Sequence, residues 1–557
     1  MKRTSWKRTC GGLLLSAVIF LSSCGRNDTT TSETGSETSS PTTSETTVET
    51  SPSETATGTT EGSDPSLITV TEAPDGIDFP KSGNLKDAHD ELAEEFRKLP
   101  GVVNVQKSSH YDDSQYVLFF EMPVDHNDPS KGTFLQRVYV KYRGKDAPNM
   151  FTIGGYNLYY GMYDGDFYDE AEPLFSEKYG CNLIEPEYRF DGNSRPEGFS
   201  NEKADYWEYL TCEQASEDFH EIIESLKTML SGKWCIEGMS KGGEFTAYQL
   251  GRHPEDADLF IAECAMLKIG KNSPGLPDYV YTTAGDDRYG KEVAKEYRDL
   301  LLEFQVEMLK HEDEFCEEYW KNATEMYGLK FASSFTKEIL YECTVFDLAH
   351  IFQYDSEDMP PDGDLFEEMK EALEVKDADT DWQKLQFKER SFEVMENLYG
   401  PWHYAYDERD VSGSSDDMNL YAFMFQCYRE DGYYAYDFSY LRDALKKDGS
   451  DVSLYITKEM EPEVFGYRIA DVHKELFAYN PDVLNTRVGA VEKTEKPLII
   501  VNGLSDIYQV TEIKESDNPN VHIFNLPASF HDEVTLDHLS DEQFKEYDEV
   551  VRSALGI

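Results

Sequence analysis

Positive charge is scarce in this chain: 52 Lys and Arg stand against 109 Asp and Glu, a net charge of −57 over 557 residues. That deficit excludes a phosphate-tracking surface, and with it nucleic acid as a partner. Most of the excess reads as a solvated acidic surface, which could also favour cationic peptides. Cysteine is sparse too. Nine occur, with no Cys-x-x-Cys pair, so neither a dense disulfide framework nor a zinc site is indicated. Past residue 24 an odd seven remain (Cys181, Cys212, Cys235, Cys264, Cys316, Cys343 and Cys427), expected as mostly buried thiols with at most one or two bridges. Long apolar runs are missing beyond Leu13 to Leu21, which is too short for a comfortable membrane span. Asp164, Asp166 and Asp169 lie close together but lack the glycine and terminal Glu of a calcium loop. No metal and no cofactor is expected.

What is there begins with a targeting segment. Lys2, Arg3, Lys7 and Arg8 precede the apolar run, and Leu21-Ser22-Ser23-Cys24 resembles a bacterial lipobox, in which the cysteine is acylated and becomes the mature N-terminus. Lipid on Cys24 would hold the protein at a membrane, each buried methylene contributing roughly 0.8 kcal/mol. Residues 24–75 are Thr, Ser, Glu, Gly and Pro with almost no large apolar side chain. They cannot bury enough surface to offset chain entropy and read as a tether.

The chemistry centres on Ile236-Glu237-Gly238-Met239-Ser240-Lys241-Gly242-Gly243. A G-x-S-x-G run places a serine on a strained strand-to-helix turn, where the residues two before and two after must lack side chains. Lys233 to Ile236 reads as a strand before it. Ahead of that, Ala215, Phe219, Ile222, Ile223, Leu226, Met229 and Leu230 follow a 3.6-residue period, with Thr211 and Gln214 as a capping box. A short helix is expected near Asp87 to Lys98. Strands are expected at Val102 to Val105, Tyr116 to Glu121, Leu135 to Lys141, Met150 to Ile153, Cys181 to Ile184, Leu259 to Met266, Pro497 to Val501 and Val521 to Leu526. Between about Lys271 and Lys474 acidic, aromatic, helix-like segments take over, for example Glu292 to Tyr319 and Asp364 to Leu373. A helix from about Ser540 to Leu555 closes the chain. The expected architecture is α/β with a mainly parallel sheet, divided into 1–23 leader, 24–75 tether, 76–270 core, 271–474 helical cap and 475–557 core.

A serine at such a turn needs a histidine and an acid, which in an α/β-hydrolase follow in the order Ser, Asp or Glu, His. Of the histidines beyond the strand at Pro497, His522 alternates within a strand and His538 opens the last helix, which selects His531 in a loop. Asp506 follows an apolar run and precedes His531 by 25 residues. Asp517, the rival, sits in turn-forming sequence. The oxyanion donors are expected to be the backbone N–H of Lys241 and one from the Gly155-Tyr156 loop, where a strand ends.

Several ordered segments resemble a known family. Pro123-Val124-Asp125-His126, Gly132-Thr133-Phe134 with Gln136-Arg137, Gly155-Tyr156, Glu187-Tyr188-Arg189-Phe190 with Ser194-Arg195-Pro196, the Gly238 to Gly243 elbow, and Gln426-Cys427 with Glu430 and Gly432-Tyr433 are similar to segments of the secreted bacterial prolyl tripeptidyl aminopeptidases. These form serine peptidase family 37, related to the lysosomal prolyl carboxypeptidases and dipeptidyl peptidases. The resemblance implies an α/β-hydrolase core with a helical cap. It also implies a serine exopeptidase releasing short peptides from free N-termini, often with a proline preference. Tyr188 stands where members usually carry His, and the stretch from Gly503 to Tyr508 lacks their usual acidic and D-P-W character. An enzyme measuring from a free amine needs a fixed anion to receive it. Glu430 is the first candidate and Glu187 the second, each alternatively a structural ion pair with Arg189 or Arg195. The competing classes are an esterase or lipase on the same fold and a surface-binding lipoprotein with an inactive hydrolase fold.

Overall fold

The structure, a computed structural model, describes residues 85–107, 113–155, 173–273, 275–353, 364–376, 380–398, 400–406 and 420–557. The expectations for the leader, Cys24, the tether, Tyr156 and the Asp164 to Asp169 cluster lie outside the described residues.

Ten strands form one sheet: β1 (Lys86–Asp87), β2 (Val102–Lys107), β3 (Gln115–Pro123), β4 (Thr133–Lys141), β5 (Asn149–Thr152), β6 (Asn182–Pro186), β7 (Trp234–Met239), β8 (Leu259–Glu263), β9 (Leu498–Gly503) and β10 (Val521–Leu526). Their order is β1-β2-β3-β4-β6-β5-β7-β8-β9-β10. β1 to β4 form an antiparallel meander that joins β6 antiparallel, and every pairing from β6 onward is parallel. The parallel strands are near-continuous apolar runs because both faces are covered. Phe151, Ile236, Phe260 and Ile500 point to one core, which continues into the helical region, and Met150, Cys235, Ile261 and Ile499 point to the other. On the first side lies the helix Cys212–Lys227, burying Phe219, Ile222 and Ile223; on the second lies Asp541–Leu555, burying Tyr547, Val551 and Leu555. This is an α/β-hydrolase sheet.

Strand order reverses between β5 and β7. In open α/β sheets the crevice at the carboxyl ends of such neighbours is where ligands bind. β5 delivers Gly154-Gly155 to that point and β7 delivers Ser240.

Three elements differ from expectation in detail. Asp87 pairs in β1, and the first helix runs only Glu91–Phe96 because Asp90 caps it through Ala93 N–H. The helix expected from Glu292 to Tyr319 is two, Lys291–Lys310 and Glu312–Lys321, broken at His311 (φ −98°, ψ 10°). β8 stops at Glu263 instead of reaching Met266, because Cys264 takes a left-handed φ of 43° and turns the chain. All seven cysteines are buried and free. Among the described residues between β8 and β9 the regular elements are helices, and no described helix is long and apolar enough to cross a membrane.

Candidate active site

The elbow is built by close backbone approach. A Cβ on Gly242 would lie 1.8 Å from the Ile153 carbonyl oxygen, and one on Gly238 would lie 2.4 Å from the Gly242 backbone. No side chain fits at either position. Gly243 is also closely approached, with Ala265 and the Glu263 carbonyl 2.9 Å from its virtual Cβ. Between these glycines Ser240 is forced to φ 56° and ψ −123°, a strained conformation for a residue with a side chain. Its N–H donates to the Glu263 carbonyl at 2.8 Å, and its carbonyl accepts from Glu244 N–H at 3.0 Å. The serine is therefore fixed to the end of β8 and to the first turn of the helix Lys241–Arg252.

Asp506 and His531 meet two strands away. Asp506 Oδ2 lies 2.6 Å from His531 Nδ1, and both side chains are buried. The other carboxylate oxygen accepts from Tyr508 N–H at 3.0 Å. Two loops are laced together to hold this contact: Leu504 N–H donates to the Leu526 carbonyl, Ser505 N–H to the Ser529 carbonyl, and Ser505 Oγ to the Pro527 carbonyl. Gly503 permits it, since a Cβ there would meet the Phe530 and Ser529 carbonyl oxygens at 2.8 and 2.9 Å. The helical region contributes as well, because His531 N–H donates to the Gln353 carbonyl at 2.9 Å.

Lys241, expected to supply an oxyanion N–H, begins the helix after the elbow, where the first backbone N–H groups have no intrahelical acceptor. Its side chain is buried against Gly155, which the sequence placed in the facing loop. Tyr156, the expected second donor, lies outside the described residues.

The two candidate receivers of a free amine have different surroundings. Glu187 is completely buried and forked onto Arg137, with Oε2 2.8 Å from Arg137 Nε and the Ser194 hydroxyl donating to the same oxygen at 2.6 Å. Its ion-pair partner is thus Arg137, whereas Arg189 pairs with Asp218 and Arg195 donates to the Gly192 carbonyl. Glu430 sits in the segment Cys427–Asp431 of the helical region, where Oε2 accepts from Cys212 N–H at 2.5 Å. Burial pushes its carboxyl above the ordinary range.

Two clusters among the described residues carry metal-ligand atoms. His220, His253 and Asp256 are one, but the imidazoles stack at 4.1 Å and 13°. In-plane lone pairs on parallel rings do not converge on one ion, and His220 Nδ1 already pairs with Asp256 at 2.7 Å. The other cluster is Cys264 with Asp506 and His531, in which Asp506 Oδ2 and His531 Nδ1 are already hydrogen-bonded to each other. Sequence reasoning did not find Cys264 beside the pair, Gln353 above His531, or Arg487. Arg487 is fully buried, bonded to Glu244 of the elbow helix and 3.0 Å from Asp431. None of these contacts leaves a periodic or motif signal.

A curated prolyl tri/tetrapeptidyl aminopeptidase from Streptomyces mobaraensis is 29% identical over 265 residues, covering 47% of this chain. The match spans 50% of that protein's own length. Among solved structures, a proline iminopeptidase from Mycobacterium smegmatis is similar at 13% identity with a TM-score of 0.28, covering 79% of this chain and 97% of that one. A 2-hydroxy-6-oxo-6-phenylhexa-2,4-dienoate hydrolase from Rhodococcus sp. strain RHA1 is similar at 12% identity with a TM-score of 0.29, covering 79% and 99%. The PS-10 peptidase S37 family model matches residues 85–378, more than half of the chain, from the meander through the elbow and into the helical region. The chain belongs to the PS-10 peptidase S37 family.

Proposed function

We propose that this protein is a membrane-anchored, extracytoplasmic serine aminopeptidase that releases di- or tripeptides from free N-termini, with a preference for proline. The buried 2.6 Å contact between Asp506 and His531, on the loops after β9 and β10, carries the reading together with the strained Ser240 after β7. Family membership supports peptide bonds as the substrate, and the name of the Streptomyces relative supports short N-terminal peptides and proline.

In this reading His531 Nε2 takes the Ser240 hydroxyl proton as Oγ attacks the carbonyl carbon of the scissile bond. Asp506 holds the imidazole in the required tautomer and stabilises its charged form. The tetrahedral oxyanion is met by Lys241 N–H and a donor from the loop after β5. Collapse breaks the C–N bond, His531 gives its proton to the leaving amine, and the short peptide remains as an acyl ester on Ser240 until water, deprotonated by the same histidine, releases it. Glu430 receives the substrate ammonium, and lipid on Cys24 keeps the folded part at the membrane.

The test is to incubate the purified protein with free and N-acetylated peptide libraries beside a Ser240→Ala control. Wild type should trim free N-termini by two or three residues, leave acetylated peptides intact, and lose all cleavage in the control. Cleavage by Ser240→Ala would overturn the mechanism, and equal use of acetylated peptides would overturn the aminopeptidase assignment.

A further inference from the structure

Two residues past the acid, Tyr508 bridges the core and the helical region. Its N–H donates to Asp506 Oδ1 at 3.0 Å, and its hydroxyl lies 3.2 Å from His350 Nε2 and 3.0 Å from the Tyr433 hydroxyl. His350 is buried on the turn Leu348–Phe352 of the helical region. The direction of each bond follows from the far end of the imidazole. His350 Nδ1 lies 2.9 Å from the Asp347 carbonyl oxygen, and a carbonyl can only accept, so Nδ1 carries a proton. Burial, with the Arg468 charge, holds this imidazole below its ordinary range against the charges of Asp347 and Asp506, which leaves a neutral ring with a bare Nε2. Tyr508 therefore gives its hydroxyl proton to His350, and Tyr433 supplies the proton of the other bond. The relay runs from Tyr433 through Tyr508 to His350. Both of its ends are tied to main chain, one at the Asp347 carbonyl and the other at Tyr433, whose N–H donates to the Gly270 carbonyl at 3.2 Å and whose carbonyl accepts from Ser273 N–H at 3.0 Å.

The same turn reaches the base. Gln353 N–H donates to the His350 carbonyl at 2.8 Å, and the Gln353 carbonyl accepts from His531 N–H at 2.9 Å. Resting on the serine-peptidase reading above, we infer that Tyr508 is a positioning residue for the acid–base pair, held at its hydroxyl by His350 so that one turn of the helical region sets both Asp506 and His531. The physical chain is short. A tyrosine ring is rigid, so pinning its hydroxyl at one end and its N–H at the other fixes how the turn Ile507–Thr511 sits over Asp506. With Oδ1 held by that N–H, the plane of the carboxylate is set, and Oδ2 stays aimed at His531 Nδ1. The hydroxyl is polarised from both sides, since it donates to an imidazole while accepting from Tyr433, and each bond in such a chain strengthens the next. His350 and Gln353 thus grip the two catalytic loops from one side, three residues apart in the chain.

The inference is tested on a proline-ending tripeptide p-nitroanilide bearing a free amino group. Tyr508→Phe keeps the ring and the N–H on Asp506 but cuts the relay, and should lower kcat by about ten-fold or more, within the roughly hundred-fold that a misplacement of about 1 Å can cost. KM and the affinity for the product tripeptide should stay within about two-fold. The acid limb of kcat/KM, which reports the His531 imidazolium, should move down by about half a pH unit, because a loosened Asp506 carboxylate supports that cation less. His350→Leu should do the same, and His350→Gln, which keeps an acceptor for the Tyr508 hydroxyl, should recover part of the loss. Tyr508→Phe and His350→Leu together should fall no more than about two-fold below the worse single variant, since both break one bond. That pair strands neither partner of the bond, which guards against a single variant that fails to fold. Tyr508→Phe turning over within about two-fold of wild type would overturn the inference, as would losses that multiply in the pair. So would a fall in kcat with the acid limb unmoved, the pattern of a merely structural role. The Ser240→Ala control separates the two claims. If that variant still cleaves, the underlying reading fails; if it is inactive while Tyr508→Phe behaves as wild type, only the positioning role fails.

Discussion

At Asp506 the two carboxylate oxygens are divided between His531 Nδ1 and Tyr508 N–H, so the acid both orients the imidazole and closes its own loop. Replacing it with asparagine keeps the shape and an acceptor for Tyr508, but offers Nδ1 an amide that selects the wrong tautomer or no charge to balance an imidazolium. Asp506→Asn is therefore expected to lower kcat on the order of 10³–10⁴-fold with little change in KM. Steady-state kinetics on the same p-nitroanilide measures it. A variant retaining a tenth of wild-type kcat would remove Asp506 from the role. Glu512 would then be the acid to examine, since it is buried nearby and burial, followed by the Asp506 charge, pushes its carboxyl well above the ordinary range.

Three elements distant in sequence are joined by Arg487 on the helix Asp482–Lys493: it bonds Glu244 on the elbow helix, Asp431 in the cap segment, and the Ile269 carbonyl after β8. Removing the cation leaves two buried acids uncompensated. Arg487→Met is expected to destabilise the fold by about 3–5 kcal/mol. Combining it with Glu244→Gln and Asp431→Asn should restore much of that, because the stranded charges are then gone. Urea unfolding reads both, and a single variant within about 1 kcal/mol of wild type would show that the elements are held by packing alone. Such links also mark where sequence reading stops. The elbow was legible because its glycines answer a local steric demand, and the parallel strands because burial on both faces writes apolar runs. Asp506 and His531 followed from chain order. The partner of Glu187 did not, because Glu187 N–H bonds the Arg137 carbonyl and cross-strand register decides which guanidinium it meets. Arg487 was invisible for the same reason, being 243 positions from Glu244 with tertiary packing alone bringing them together. The break at His311 was hidden inside one continuous helical pattern.

Over the whole molecule acid groups outnumber basic ones, and the most deeply placed of them make stability fall as pH rises toward neutrality. Burial pushes Glu237, behind the elbow on β7, up to about 7, with the nearby Thr152 hydroxyl acting in the opposite sense. It pushes Glu263 on β8 well above the ordinary range, with the charges of Glu237 and Asp537 adding to it. Unfolded, both carboxyls release their protons near pH 4.5, so above that pH the folded state binds more protons than the unfolded one, and stability falls as pH rises through about 7. His126 acts in the same sense. Burial works against its protonation, but Asp218 and Glu221 bond it and lift it to about 9, so its contribution is complete below about 6.5 and is lost as pH rises through 9. The surface adds to this, since a chain at −57 repels itself more as its remaining carboxyls ionise. Glu307 opposes only at the acid end. Burial acts against its ionisation, but His311 and Lys310 bond its carboxylate and hold it at about 2, so its contribution is lost only as pH falls through that value. Thermal stability should accordingly peak at mildly acidic pH and decline by at least a few °C between about pH 5 and 8. Melting curves at constant ionic strength measure the slope. Added salt should recover the part due to surface repulsion and leave the part due to buried carboxyls. Glu237→Gln should flatten the remaining slope, because an amide at that position has no proton to release. A melting temperature that rises from pH 5 to 8 would mean that Glu237 and Glu263 are ionised in the folded protein, and would require a cation beside them behind the elbow.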